Sequence, residues 1–274
     1  MPQNYYCLVS GLPNITLDDT KLSYGSADFL SDMEEYVGKD SFKYFKLFKY
    51  KIDNENLFKT MIKQKHDFIN GGVYSQQDID EAIEEPINIV EYIQEFITEY
   101  HDDEFDKDVD KKRLTQLYYD FILKSKNGFV REWFEMDLNF KNVFSALNCR
   151  KYELPIEGEL IEFNHVSEAI AKSSSRDFGL SAEYPYVEQL LSIYAIEDLL
   201  QREKAIDMLK WNWLDEGTFF NYFTVEKLIS YYIKLEMIER WISLDPETGK
   251  EMFEKLIKDL ESGYEFPEDF NGKK

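Results

Sequence analysis

Apolar side chains recur along this chain at intervals of three and four residues, the spacing that lines one face of an α-helix. Trp133, Met136, Phe140, Val143 and Leu147 form one such stripe with Phe144 beside it, and Ile87, Val90, Ile93, Ile97 and Tyr100 form another. Punctuation divides the pattern into elements. Tyr5 to Leu12 is short, β-prone and closed by Gly11 and Pro13, which reads as an extended lead-in. Helices are then predicted over 26–36 and 42–49, and from Asp53 until Gly71-Gly72 stop it. Asp78 with Glu81 resembles a capping box, and Pro86 restarts a helix that ends at the acidic run 101–110. Further helices are predicted over 111–126, from the Asn127-Gly128 turn through the Trp133 stripe, and over 164–172. Pro185 opens a long one reaching Gly217. The segment 225–244 is apolar on most faces, and Asp245-Pro246 caps a last helix ending at Gly263.

Within this pattern, residues 44–65 recur in blurred form 86 positions later, at 130–151. Phe48 aligns with Phe134, Ile52 with Leu138, Asp53 with Asn139 and Asn56 with Asn142. Leu57 then falls on Val143, Phe58 on Phe144, Met61 on Leu147 and Lys65 on Lys151. A weaker echo at 227–241 puts Glu236 and Glu239 at the acidic and Asn positions, with Trp241 among the apolar ones. A spacing near one third of the 274 residues implies three similar helical modules, with boundaries at 1–105, 106–205 and 206–274. Asn56 and Asn142, polar beside buried rows, are placed to bond loop backbone between modules. Asp137 and Lys141 are placed for an i,i+4 ion pair on the outer helix face, worth only about 0.3 kcal/mol there.

Charge narrows the partners. The 54 acidic and 32 basic side chains leave a net −22, which repels nucleic acid and anionic lipid and favours a basic protein surface. The acidic connector residues Asp102, Asp103, Glu104 and Asp106 are the candidates for such a contact. High aromatic content with 12 Gly and 7 Pro argues against disorder and against a turn-rich β-fold, so the class is all-α. Cys7 and Cys149 have neither metal-site nor disulfide spacing and read as buried or half-buried thiols in a reducing compartment. No signal-peptide pattern opens the chain and no apolar run approaches 18 residues, so it is expected to be cytosolic, at most peripheral to a membrane.

Catalytic constellations are missing from the sequence. Asp177-Phe178-Gly179 spells a kinase triplet without a Gly-rich loop or catalytic loop around it, and Glu162 and His165 make half of a di-iron motif whose other half is absent. No GxSxG, GxGxxG or phosphate-loop pattern is present, and three histidines offer little for zinc or a His-based triad. We therefore expect no catalytic, cofactor or metal site and no small-molecule substrate.

The repeat helices, IDNENLFKTMIKQK, DLNFKNVFSALNCRK and YIKLEMIERW, resemble those of the central-stalk component designated C in V-type and A-type rotary ATPases and d in the eukaryotic ones. The segments YYCLVSGLPNITLDD, SSSRDFGLS and YYIKLEMIERWISLD are similar to a family of uncharacterised bacterial proteins encoded beside V-type ATPase subunits, in place of that component. The resemblance implies three helical modules in a funnel that joins the central-stalk subunits to the membrane rotor ring. Such a part would couple ion transport on the inner face of the membrane and catalyse nothing. Asp53, Asn56, Asn139, Asn142, Lys151, Glu236 and Glu239, with Asp137, are the repeat-motif positions. This chain departs from the motif at Asn139, where the first repeat has an Asp, and at Glu239, where an Asn is expected. A free-standing helical-repeat adaptor for a basic partner, or an enzyme with a carboxylate or metal site, are the alternatives.

Overall fold

The structure, a computed structural model, describes residues 4–64, 66–100 and 107–244, and among them it contains eleven helices and no strand. They are α1 (Tyr6–Gly11), α2 (Ser26–Tyr36), α3 (Lys39–Met61), α4 (Gln76–Glu84), α5 (Glu91–Glu99), α6 (Lys107–Ile122), α7 (Gly128–Tyr152), α8 (His165–Lys172), α9 (Tyr186–Tyr194), α10 (Leu199–Thr218) and α11 (Val225–Ser243). The all-α class follows directly. No helix of the described residues is long and apolar enough to cross a membrane.

Three long helices, α3, α7 and α11, organise the packing. Phe48 of α3 meets Phe134 of α7 with ring centroids 4.8 Å apart and Tyr232 of α11 at 6.1 Å, so one aromatic junction joins all three. Phe45, Phe134 and Val143 are fully buried within a single hydrophobic core that extends from Tyr5 to Ile238. The α7 stripe is the predicted one: Trp133, Met136, Phe140, Val143 and Leu147 are all buried. Shorter helices cover the long ones, with α4 against α3, α8 against α7 and α2 against α11.

Several sequence expectations fail for identifiable reasons. Tyr5 to Leu12 is not extended: residues 6–11 form a helix, and tertiary contact overrides their β propensity. Tyr5 N–H donates to the Phe223 carbonyl at 2.7 Å, and the Tyr6 and Phe223 rings lie 4.5 Å apart. The helices expected over 42–49 and from Asp53 are one continuous α3, because Asp53 turns its carboxylate sideways to a distant loop and caps nothing. The cap of α4 is Ser75, paired with Asp78, and not Asp78 with Glu81. Pro86 and Ile87 lie in a loop: Asn88 takes a left-handed φ of 57°, Val90 N–H donates to the Tyr74 hydroxyl, and α5 starts at Glu91. The single helix expected from Pro185 to Gly217 is two, since Asp198 accepts from Gln201 N–H at 2.7 Å and caps a new helix after α9 ends. Cys7 is exposed, against expectation, while Cys149 is buried and free. The last predicted helix, 246–263, lies outside the described residues.

Candidate functional site

On α3 and α7 the aligned asparagines perform the same task. Asn56 Nδ2 donates to the Ile69 carbonyl at 2.8 Å while its Oδ1 accepts from Ile69 N–H at 2.9 Å. Asn142 Nδ2 donates to the Ile161 carbonyl at 2.8 Å while its Oδ1 accepts from Ile161 N–H at 3.0 Å. Each amide thus replaces a missing backbone partner on both sides of one loop residue, the arrangement that makes a buried polar group favourable. The expectation that they tie separate modules together is corrected: each holds the loop that follows its own helix.

The positions three residues earlier act on the next part of the same loops. Asp53 accepts from Val73 N–H at 2.9 Å and Tyr74 N–H at 3.1 Å, just before the Ser75 cap of α4. Burial pushes its carboxyl up to about 6 against the opposing pull of those two N–H groups. A side chain at Gly72 would place Cβ 2.1 Å from Asp53 Oδ1, so this close approach requires glycine. Asn139 accepts from Nδ2 of Asn164, the cap of α8, at 3.1 Å and donates to the Tyr186 hydroxyl at 3.2 Å. On α11, Glu239 accepts from Ser26 N–H at 2.6 Å and Ser26 Oγ at 2.5 Å, fastening the start of α2 from the other end of the chain. Glu236 is bonded by its neighbour Tyr232, and burial raises its carboxyl. Lys151 is exposed in the last turn of α7, where a cation suits the helix dipole.

Asp137 departs furthest from its prediction. It is not on the outer face: only 4% of it is exposed, in a junction where four helices bring it partners. Lys210 of α10 donates to Oδ1 at 2.6 Å; Lys141 lies 3.2 Å and Lys51 of α3 3.5 Å from Oδ2, which also accepts from the Tyr119 hydroxyl of α6 at 3.2 Å. Burial alone would raise this carboxyl, but Lys210, Lys51 and Lys141 together outweigh it and hold it well below the usual carboxylate range. One signal for this junction stands in the sequence: Lys51 and Asp137 are 86 apart, opposite charges at positions that the alignment of 44–65 with 130–151 pairs. Lys210 and Tyr119 carry no such mark.

Other candidates resolve into structural roles. Asp177 draws the loop tight by accepting from Gly179 N–H at 3.0 Å, and Phe178 is buried beneath Arg150, whose guanidinium also binds the carbonyls of Ser173 and Ser175. His165 is solvent-facing, with Glu183 3.9 Å away. No His, Cys, Asp and Glu grouping able to hold a metal occurs among the described residues. Asp102, Asp103, Glu104 and Asp106 lie outside the described residues.

What fold and site define together is an all-helical protein whose polar interior residues fasten loops and helix ends. The chain matches the family described as "Protein of unknown function (DUF2764)" over residues 2–264, and it belongs to that family. No curated protein and no solved structure matches it.

Proposed function

We propose that this chain is a non-catalytic central-stalk part of a V-type ATPase, standing in for the component designated C and joining the stalk to the membrane rotor ring on its cytoplasmic face. The observation that carries this reading is the paired asparagine clamp, because it falls on the repeat positions through which the sequence resembles that component. In this reading α3, α7 and α11 are the central helices of the three modules, and the clamps serve rigidity. A part that passes on torque must not yield when loaded. Bidentate side-chain bonds at loop roots and dense aromatic packing both raise the cost of bending.

The ends of the modules offer contact surface. At the α10–α11 turn Phe220 is 92% and Phe219 71% exposed, with Tyr222 half exposed beside them. Exposed aromatics of this kind anchor protein interfaces. The net charge of −22 favours a basic partner surface, with attraction screened over about 8–10 Å at physiological salt.

The test is a pull-down of the tagged chain from detergent-solubilised membranes of its own host at low and high salt. Recovery of stalk and ring subunits, weakening as salt rises, is the expected result. Recovery of no ATPase subunit at low salt, or substrate turnover by the purified chain alone, would overturn the reading.

A further inference from the structure

Beside the Asp137 junction lies a cavity of about 170 Å3 between α3, α6 and α7, whose wall includes Lys51, Lys111, Lys141, Glu55, Phe58 and Leu114. Its charge runs against that of the whole chain. Asp137 faces Lys51, Lys141 and Lys210, and Glu55 faces Lys59 at 3.1 Å and Lys111 at 3.2 Å, so five ammonium groups meet two carboxylates. Counting buried Glu236, whose charge also acts on Lys51, still leaves an excess of two positive charges among the described residues, in a chain of net −22.

The lysines toward the cavity are incompletely matched. Lys51 has its nearest carboxylate oxygen 3.5 Å away, rests over the Phe134 ring at 5.4 Å and keeps 44% of its side chain exposed. Lys141 is half exposed and shares its ammonium between the Tyr119 hydroxyl at 2.7 Å and Asp137. An ammonium has three donors, and among the described residues these contacts leave donors of both lysines able to meet a further acceptor. Phe58 and Leu114 supply the apolar part of the wall, beside the polar Asn54 and Thr115. A fully hydrated inorganic anion gains nothing from such a wall. A carboxylate carried on a methylene stem beside another apolar group does.

We propose that this cleft receives an acidic side chain, flanked by an apolar one, from a partner protein, with Lys51 and Lys141 as its binding residues. The cleft stands on the geometry alone; only the identification of its partner as an ATPase subunit rests on the function proposed above. Because the chain as a whole is strongly acidic, this spot would also fix where such a partner docks, its acidic groups being repelled elsewhere.

The full chain, with 13C-labelled lysines, is titrated with N-acetyl-Leu-Glu-Phe-amide, with the Gln analogue and with inorganic phosphate, following the Cε resonances of Lys51, Lys111 and Lys141. The expected result is saturable movement of Lys51 and Lys141 with the Glu peptide and about tenfold weaker binding of the Gln peptide, the factor that a charge-assisted pair supplies. Lys51→Gln and Lys141→Gln, each checked for unchanged resonances of lysines away from the Asp137 junction, should each lose that response. No saturable shift, equal response to both peptides, or phosphate binding as tightly as the Glu peptide would overturn the proposal. So would displacement of the same resonances by neutralising Asp102, Asp103, Glu104 and Asp106 without peptide, which would assign the cleft to the chain's own segment. Peptide binding together with a failed ATPase pull-down would keep the cleft and remove only the stalk reading.

Discussion

Replacing Asn142 with alanine tests the idea that single amides hold these loops. The substitution removes both bonds to Ile161, at 2.8 and 3.0 Å, and leaves an N–H and a carbonyl without partners. Each lost bond is worth about 1 kcal/mol net, and each backbone group stranded away from water costs about 1–3 kcal/mol more. Asn142 is 3% exposed, but Ile161 is only half buried, so water can reach part of the loop. The expected loss is therefore about 2–4 kcal/mol. Asn56→Ala should cost less, about 1–2 kcal/mol, since Ile69 is 38% exposed and its backbone rehydrates more easily. Urea denaturation followed by circular dichroism measures both, read at constant slope so that a midpoint change reports stability. Amide exchange at Ile161 supplies the local readout, with protection lost in Asn142→Ala. A midpoint shift below the equivalent of about 0.5 kcal/mol, or Asn56→Ala the costlier of the two, would refute the reasoning.

Other outcomes follow from the same geometry. Asp53 has its carboxyl raised to about 6, above an unfolded value near 3.9, so the folded chain holds this proton more tightly and the group's penalty at neutral pH, about 2–3 kcal/mol, disappears as pH falls from 7 toward 4. Wild-type urea midpoints should gain on those of Asp53→Asn over that range; a pH-independent gap counts against it. Gly72→Ala should destabilise by about 1–3 kcal/mol, because the new Cβ meets the Asp53 carboxylate already fixed by two backbone bonds. An unchanged melting profile would show that the loop yields.

Helical periodicity exposed the α7 stripe and the existence of most helices, because one buried face leaves a 3-4-3-4 record in the sequence. It also placed Asn56 and Asn142 at aligned positions. The record fails where partners are remote. Lys210 and Asp137 are 73 residues apart and meet at 2.6 Å, and nothing local marks Asp137 as buried. Helix boundaries differ where a side chain starts a new helix: Asp198 three residues before Gln201, and Ser75 three before Asp78, both stand in the sequence as cap patterns. The lead-in helix α1 depends on Phe223, which no window of local sequence contains.

The bond between Ser26 and Glu239 spans 213 residues. A ribosome adding about 5–20 residues per second needs on the order of 10 to 40 s to supply the second partner after the first has emerged. Through that interval α2 has no α11 to cover, and Phe29, fully buried in the finished protein against Tyr231 and Tyr232, has none of those rings to meet. One of the first helices made is thus completed by the last described one, and a truncated chain released before Tyr231 would carry an unsatisfied apolar face at its beginning, open to chaperones and proteases.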